Sequence, residues 1–386
     1  MDVTIPEEYR SLKQLAKTFR EKELAPLESH IDQEGFISQD LWKQLVAKSK
    51  AIGLFNAFVP EKYGGGGIRS WLAHILVWEE IGKTLTVFRR LFDNGYEVGV
   101  KEATEEQIRQ FYIPVWQGEK RMAYALTEPD AGSDSLAMKT TATSKGNKWV
   151  VNGMKYFVSA APVSDFICTF AMTDKERRRV TAFLLHKDTP GITLGRVQKL
   201  MGSHATEPSE VYFDDCLVDN SNVLGEVGKG LRLFFSNLNL WRLRVGAAGI
   251  GAAEYAVEAC IRYAKQRITF GQALAKRQAI QGMIIDSWIE AEQARWLTYS
   301  TCAKADEGAS IENLMLPSAA AKVAATEMAC KVLDRAIQIH GGLGYSCDIP
   351  FERMYRDIRA NRFLEGANET LKFRVAAQQL FGKEYI

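Results

Sequence analysis

The chain has 386 residues, 46% of them apolar and 25% charged, enough for two or three domains around large buried cores. Lys plus Arg number 49 and Asp plus Glu 47, a formal net charge of +2. This excludes a disordered chain, a fibre and a small disulfide scaffold, and it gives no electrostatic case for nucleic acid as the main partner. The six cysteines include no CxxC pair and the five histidines show no metal spacing, so no metal centre is expected. The N-terminal MDVTIPEEYRSLKQ carries acids and no apolar core, unlike a secretory signal. The most apolar stretch, Val245 to Cys260, is broken by Glu254 and Glu258, short of the ~18 residues a membrane helix needs. No membrane partner is expected, and the simplest address is a cytoplasmic one, with a matrix protein stripped of its presequence also open.

Three blocks follow one another: 1–120, 121–227 and 228–386. The first is helical in pattern. Tyr63 and the four glycines Gly64 to Gly67 make a turn, after which Trp71, Leu72, Ile75, Leu76, Glu79 and Ile81 recur at helical spacing without Pro or Gly. In the second block the period changes. KTTATS, KWVVNG, TAFLLH and SEVYFDD are short, rich in β-branched and aromatic residues and separated by turn formers, which predicts a small antiparallel β domain. Arg177, Arg178 and Arg179 form a basic run in an expected hairpin loop, read as a solvated turn, with contact to a ligand phosphate as the alternative. The third block returns to long helical segments rich in small residues, such as GAAEYAVEACIRYAKQR and PSAAAKVAATEMACKVLDRAIQIHGG, whose helices can pack closely. The expected fold is α+β and multidomain: an N-terminal helical bundle, a middle antiparallel β domain and a C-terminal helical bundle of four-helix type.

No glycine fingerprint for a nicotinamide dinucleotide follows a strand, and no GxxxxGK[ST] loop is present. The informative segments sit at the joints between blocks: YALTEPDAGSD (Tyr124 to Asp134), NGMKYFVS (Asn152 to Ser159), RITFG (Arg267 to Gly271), QIHGGLGY (Gln338 to Tyr345) and RDIRANRFLEGANE (Arg356 to Glu369). In this order and spacing, with GLFNAFVPEKYGG and EEQIRQFYIPVWQGE in the first block, the chain resembles the acyl-CoA dehydrogenase family of FAD-dependent flavoproteins. That family has the same α, β, α order and usually forms homotetramers, with FAD bound partly across subunit contacts.

The resemblance implies roles. Glu365, before Gly366, matches the family's catalytic carboxylate, which takes the α-proton of an acyl thioester while the β-hydrogen leaves as hydride to flavin N5. Such a base needs an apolar, water-poor pocket that lifts its pKa. Some relatives carry the base on an earlier helix, where this chain has Trp241, which cannot serve. Gly366 would let the backbone approach the thioester. Tyr124, Leu126 and Thr127 would lie along the flavin ring, Ser133 would reach cofactor and the CoA part of the substrate, and Phe157 and Ser159 would cover the flavin, Phe157 standing where Trp is common. Arg267 would bind the FAD diphosphate with Phe270 and Gln278 nearby, and Gln338, Gly341 and Gly342 would hold the ADP half from a neighbouring subunit. Asn239 and Arg242 match positions near the substrate. His340 is read as a satisfied core or interface histidine. After Gly366 the family's usual Thr-Ser is replaced by Ala367 and Asn368, which puts the local flavin contacts in question.

Substrate choice is read from TLTVFRRLFDNGYEVG. At helical spacing Leu85, Arg89, Phe92 and Tyr96 form a stripe, and Arg89 falls where dicarboxylyl-CoA relatives read a distal carboxylate. Two readings stand: Arg89 binds an anionic acyl end, or it pairs with Asp93 at i, i+4. The expected activity is an acyl-CoA dehydrogenase forming 2,3-enoyl-CoA, with an electron-transfer flavoprotein as acceptor. The alternatives are an acyl-CoA desulfinase, an oxidase or a flavin monooxygenase on the same fold, and a flavin-free scaffold or assembly partner, which would purify colourless.

Overall fold

Serines placed ahead of apolar runs start the helices. Ser38, Ser70 and Ser310 each accept a hydrogen bond from a backbone N–H three residues on, at Leu41 (3.3 Å), Ala73 (3.1 Å) and Asn313 (3.3 Å), satisfying a donor that helix geometry leaves unpaired. In the computed structural model, which describes residues 5–92, 94–95 and 97–382, the first block contains helices α1 (Glu7–Phe19), α2 (Gln39–Ala51) and α3 (Trp71–Ile81). Every residue of α3 after Trp71 is buried, as its unbroken apolar run requires.

The expected stripe does not continue as an α-helix. Thr86–Leu91 is a 3-10 segment, and the chain then leaves helical geometry where the Asn94 amide donates to the carbonyl oxygens of Arg90 (3.0 Å) and Phe55 (3.1 Å). A side-chain amide that competes for main-chain acceptors favours a turn over a helix. Leu85 and Phe92 are fully buried and Arg89 half-buried; Asp93 and Tyr96 lie outside the described residues.

The middle block forms an eight-stranded sheet: β1 (Met122–Ala125), β2 (Thr141–Lys145), β3 (Lys148–Val158), β4 (Phe166–Asp174), β5 (Arg179–His186), β6 (Ile192–Val197), β7 (Ser209–Asp219) and β8 (Val223–Leu224), in the order β6-β7-β3-β2-β4-β5-β8 with β1 beside β4. Most pairs are antiparallel, as expected, but β1 and β2 each meet β4 in parallel. Arg177 and Arg178 lie in the exposed β4–β5 turn and Arg179, also exposed, opens β5; the turn is closed by the Arg177 N–H donating to Asp174 at 2.9 Å.

The C-terminal bundle is built from α4 (Leu238–Gln266), α5 (Gln278–Asp306), α6 (Ile311–His340) and α7 (Phe351–Arg359). It docks on α3 almost backbone to backbone: a Cβ at Gly251 would lie 1.8 Å from the Glu79 carbonyl oxygen, and one at Gly82 1.9 Å from that of Ala248. Charge is buried at this joint and satisfied there. Glu79 meets Lys13, the Tyr299 hydroxyl (2.7 Å) and Arg295 (3.5 Å), while Glu80 meets Arg20 (3.1 Å) and Lys83 (2.7 Å). His340 is a satisfied core histidine, its Nδ1 2.8 Å from the Ala336 oxygen and its ring stacked on Tyr263.

Candidate active site

Where sheet and bundles meet lies a cavity of about 320 Å³. The sheet contributes through β1, which runs beside β4 and delivers Tyr124, then Leu126 and Thr127, to its wall. A buried ion pair holds this segment. Lys155 Nζ donates to Glu128 at 2.7 Å and to the Leu126 oxygen at 3.1 Å, and the Glu128 carboxylate also accepts from the Thr140 N–H at 3.1 Å. The Thr127 oxygen accepts from the Tyr156 N–H at 2.8 Å, tying the segment to β3. There the register of β3 against β7 shifts between Lys155 and Val158, and Phe157 takes φ +55°. A bulge re-aims side chains: Phe157 leaves the sheet half-exposed, and Phe157 and Ser159 both line the cavity.

The helical wall comes from α4. Trp241, Arg244, Val245, Ala248 and Ala252 all line the cavity, at the i, i+3, i+4, i+7 and i+11 spacing of one helix face. Arg244 is buried, its guanidinium 5.5 Å from the Trp78 ring. The helical period of LWRLRVGAAG was the signal that would have found it.

Glu365 closes the cavity from a loop after α7. It adopts φ +54°, followed by Gly366 at φ +100°, a left-handed pair that costs a non-glycine residue about 1–2 kcal/mol and persists only when neighbours impose it. Arg242 Nε donates to the Glu365 main-chain oxygen at 3.3 Å. Burial pushes the Glu365 carboxyl above its usual range, while Arg89, Arg244, Arg242 and Lys322 pull it back. Burial also brings the Arg242 guanidinium down to about 10. A carboxylate so placed, on the wall of a cavity and raised by burial, is suited to act as a general base.

A smaller cavity of about 40 Å³ adjoins the first, the two sharing Arg89, Arg90 and Ser159. Arg121 joins them there, its guanidinium 4.4 Å from the Trp42 ring and lowered to about 10 by burial and by Arg90.

The other residues of interest lie elsewhere. Asn239 and Arg242 are buried beneath the base: Arg242 reaches Asn239 Oδ1 at 3.4 Å, and Asn239 is bonded to Ser318 and the Ile311 oxygen. Ser133 is exposed on its turn. Arg267, Phe270, Gln278, Gln338, Gly341 and Gly342 are all exposed and do not line the cavity. Sequence reasoning missed Arg244, Lys322, Arg121 and the Glu128–Lys155 pair. Among the described residues, no His, Cys, Asp and Glu group is arranged to hold a metal, and no helix is long and apolar enough to cross a membrane.

The apolar Leu126 and Phe157 and the hydroxyl-bearing Thr127 and Ser159 all line the cavity. At the far end of α6, a Cβ at Gly341 or Gly342 would meet nothing within 4 Å, which leaves room for a ligand to approach the backbone. Leu126, Thr127, Phe157 and Ser159 would hold the flavin of FAD, which when bound supplies a hydride acceptor.

Two helical bundles flanking a sheet, with Glu365 on the wall of a cavity that Leu126, Thr127, Phe157 and Ser159 also line, are the arrangement of a three-domain flavin-dependent oxidoreductase acting on CH–CH bonds. The N-terminal, middle and C-terminal domain models of acyl-CoA dehydrogenase match residues 6–119, 123–216 and 228–380. The chain is 33% identical over 380 residues to the 3-(aryl)acrylate reductase of Clostridium sporogenes (strain ATCC 15579), covering 97% of this chain and 99% of that one. It is 34% identical over 388 residues to the glutaryl-CoA dehydrogenase of Desulfococcus multivorans, covering 98% of each. The solved butyryl-CoA dehydrogenase of Megasphaera elsdenii superposes with a TM-score of 0.89 at 33% identity, covering 98% of this chain and all of that one. The chain belongs to the acyl-CoA dehydrogenase family and is FAD-dependent.

Proposed function

We propose that the protein dehydrogenates an acyl-CoA to its 2,3-enoyl-CoA, with Glu365 as the base for the α-proton, and that the acyl end carries a carboxylate or another anionic group. One observation supports the anionic end above all: Arg89, Arg90 and Arg121 gather where the two cavities adjoin, and Glu207 is the acid on the small cavity's wall. Three half-buried guanidinium groups side by side favour an anionic ligand. Glu365 would receive the proton directly, and Leu126 and Phe157 would pack against the reacting part of the substrate.

Electrons would leave to an electron-transfer flavoprotein. The assembly would be a homotetramer: exposed Ile285, Trp288 and Trp296 on α5 offer an apolar face, and a neighbouring subunit would bring Arg267 and the Gln338–Gly342 segment to the FAD of another. The test is anaerobic titration of the yellow protein with linear, branched, aromatic and dicarboxylic acyl-CoAs. Dicarboxylic substrates should bleach the flavin at the lowest concentration. Equal bleaching by neutral chains of the same length would remove the anionic end and leave the dehydrogenase reading intact.

A further inference from the structure

Beneath the loop that carries Glu365 lies a lysine for which the reaction has no direct use. Lys322, on α6, is 0% exposed. Its Nζ donates to the Arg362 oxygen (3.1 Å), the Gly366 oxygen (2.8 Å) and Asn368 Oδ1 (2.8 Å). Asn368 is buried too and held by its own amide, which donates to Thr326 Oγ1 (3.1 Å) and Glu327 Oε1 (3.4 Å). The three acceptors of Lys322 therefore bracket Glu365: one carbonyl lies three residues before it, one is the residue after it, and the amide lies three residues after it. Arg242 holds the carbonyl of Glu365 itself. Between them the two cations grip the main chain and leave the carboxylate directed to the cavity.

We propose that Lys322, oriented by Asn368, is a positioning residue for the base: it clamps the loop on both sides of Glu365, holds that residue in its left-handed conformation, and favours the ionised carboxylate. The inference rests on Glu365 being the base. Three hydrogen bonds to neutral oxygens only partly repay the burial of an ammonium, and burial brings Lys322 down to about 7. A neutral donor would anchor the loop at lower cost, so the charge itself points to an electrostatic role. The charged groups facing Lys322 are Glu365, Arg242, Glu369 and Arg362, and Glu327 with its partner Lys372 flanks Asn368.

The test compares Lys322→Met and Asn368→Ala with the parent as purified holoenzymes, with rates expressed per bound flavin. Lys322→Met should lower kcat about 100-fold, the size of loss that a misplacement near 1 Å produces, with KM altered about threefold or less. It should move the acid limb of the kcat/KM profile to higher pH, and infrared difference spectra against Glu365→Gln should show the carboxyl titrating higher. Asn368→Ala should shift both readouts in the same direction by a smaller amount, and it carries the test if Lys322→Met fails to fold. Folded, flavin-bound variants that keep kcat and the acid limb within about twofold of the parent would overturn the proposal. Glu365→Gln, assayed alongside, reports separately on the base: bleaching that persists in that variant removes the base, whereas loss of bleaching there with unchanged Lys322 and Asn368 variants removes only the clamp.

Discussion

Arg242 donates to the main-chain oxygen of Glu365, not to its carboxylate, so this cation of the C-terminal bundle secures the backbone of the base and leaves the carboxylate available. Replacing the carboxylate alone should then remove the chemistry while the loop keeps its place. Glu365→Gln is expected to lower the rate of flavin reduction by roughly 10²–10⁴-fold, the usual share of a general base, with FAD still bound. Anaerobic stopped-flow absorbance checks it.

The same substitution should stabilise the fold at neutral pH. The Glu365 carboxyl is raised by burial, so the folded state holds its proton more tightly than the unfolded chain does. Stability linked to that proton is present below the unfolded pKa and is lost as pH rises through the folded one. Thermal scans should show Glu365→Gln melting above the parent at pH 7.5, with the difference shrinking as pH falls toward about 4.5.

Turnover needs the ionised base, so kcat/KM should fall as pH drops through a value above 4.5, the carboxyl's ordinary value. Arg89 and Arg244 both favour the anion. Removing the charge of Arg244 with Arg244→Met should therefore move that acid limb to still higher pH. A limb that stays in place would show that Arg244 exerts no field on the base.

Arg89→Ala should lower kcat/KM for a dicarboxylic acyl-CoA by about 30-fold or more, the cost of leaving one buried charge without its partner at about 2–5 kcal/mol, and change that of a neutral chain far less. Unchanged values for every acyl-CoA tested would end the idea of an anionic handle at this position.

The joint between the bundles can be tested through Gly251. Its Cβ would lie 1.8 Å from the Glu79 oxygen, a main-chain atom that cannot swing aside, so Gly251→Ala must push α3 from α4. Overpacking of this kind costs about 1–3 kcal/mol, read as a lowered thermal midpoint.

Much of this architecture was legible in the sequence because it rests on local periodicity. The apolar run beginning at Trp71 became a helix ending at Ile81, the β-branched segments became strands, and the small-residue segments became the long helices α4 and α6. The stripe from Leu85 was misleading because helical spacing persists in the letters even where the Asn94 amide redirects the chain. The parallel pairing of β1 with β4 was equally invisible, since it joins residues about 44 positions apart.

By itself the sequence determined the order of the three blocks and the family they resemble, and it pointed to Glu365 as the acid in RFLEGAN. Only the tertiary structure decided that this acid lines a cavity with a raised carboxyl, that Arg89 shares its site with Arg90, Arg121 and Arg244, and that Lys322 and Asn368 lie under its loop. The reason is physical. Helix and strand periods are written in neighbouring residues, whereas a carboxylate's proton affinity depends on burial and on charges brought to it from α4, α6 and the segment after α3, up to 276 residues away along the chain.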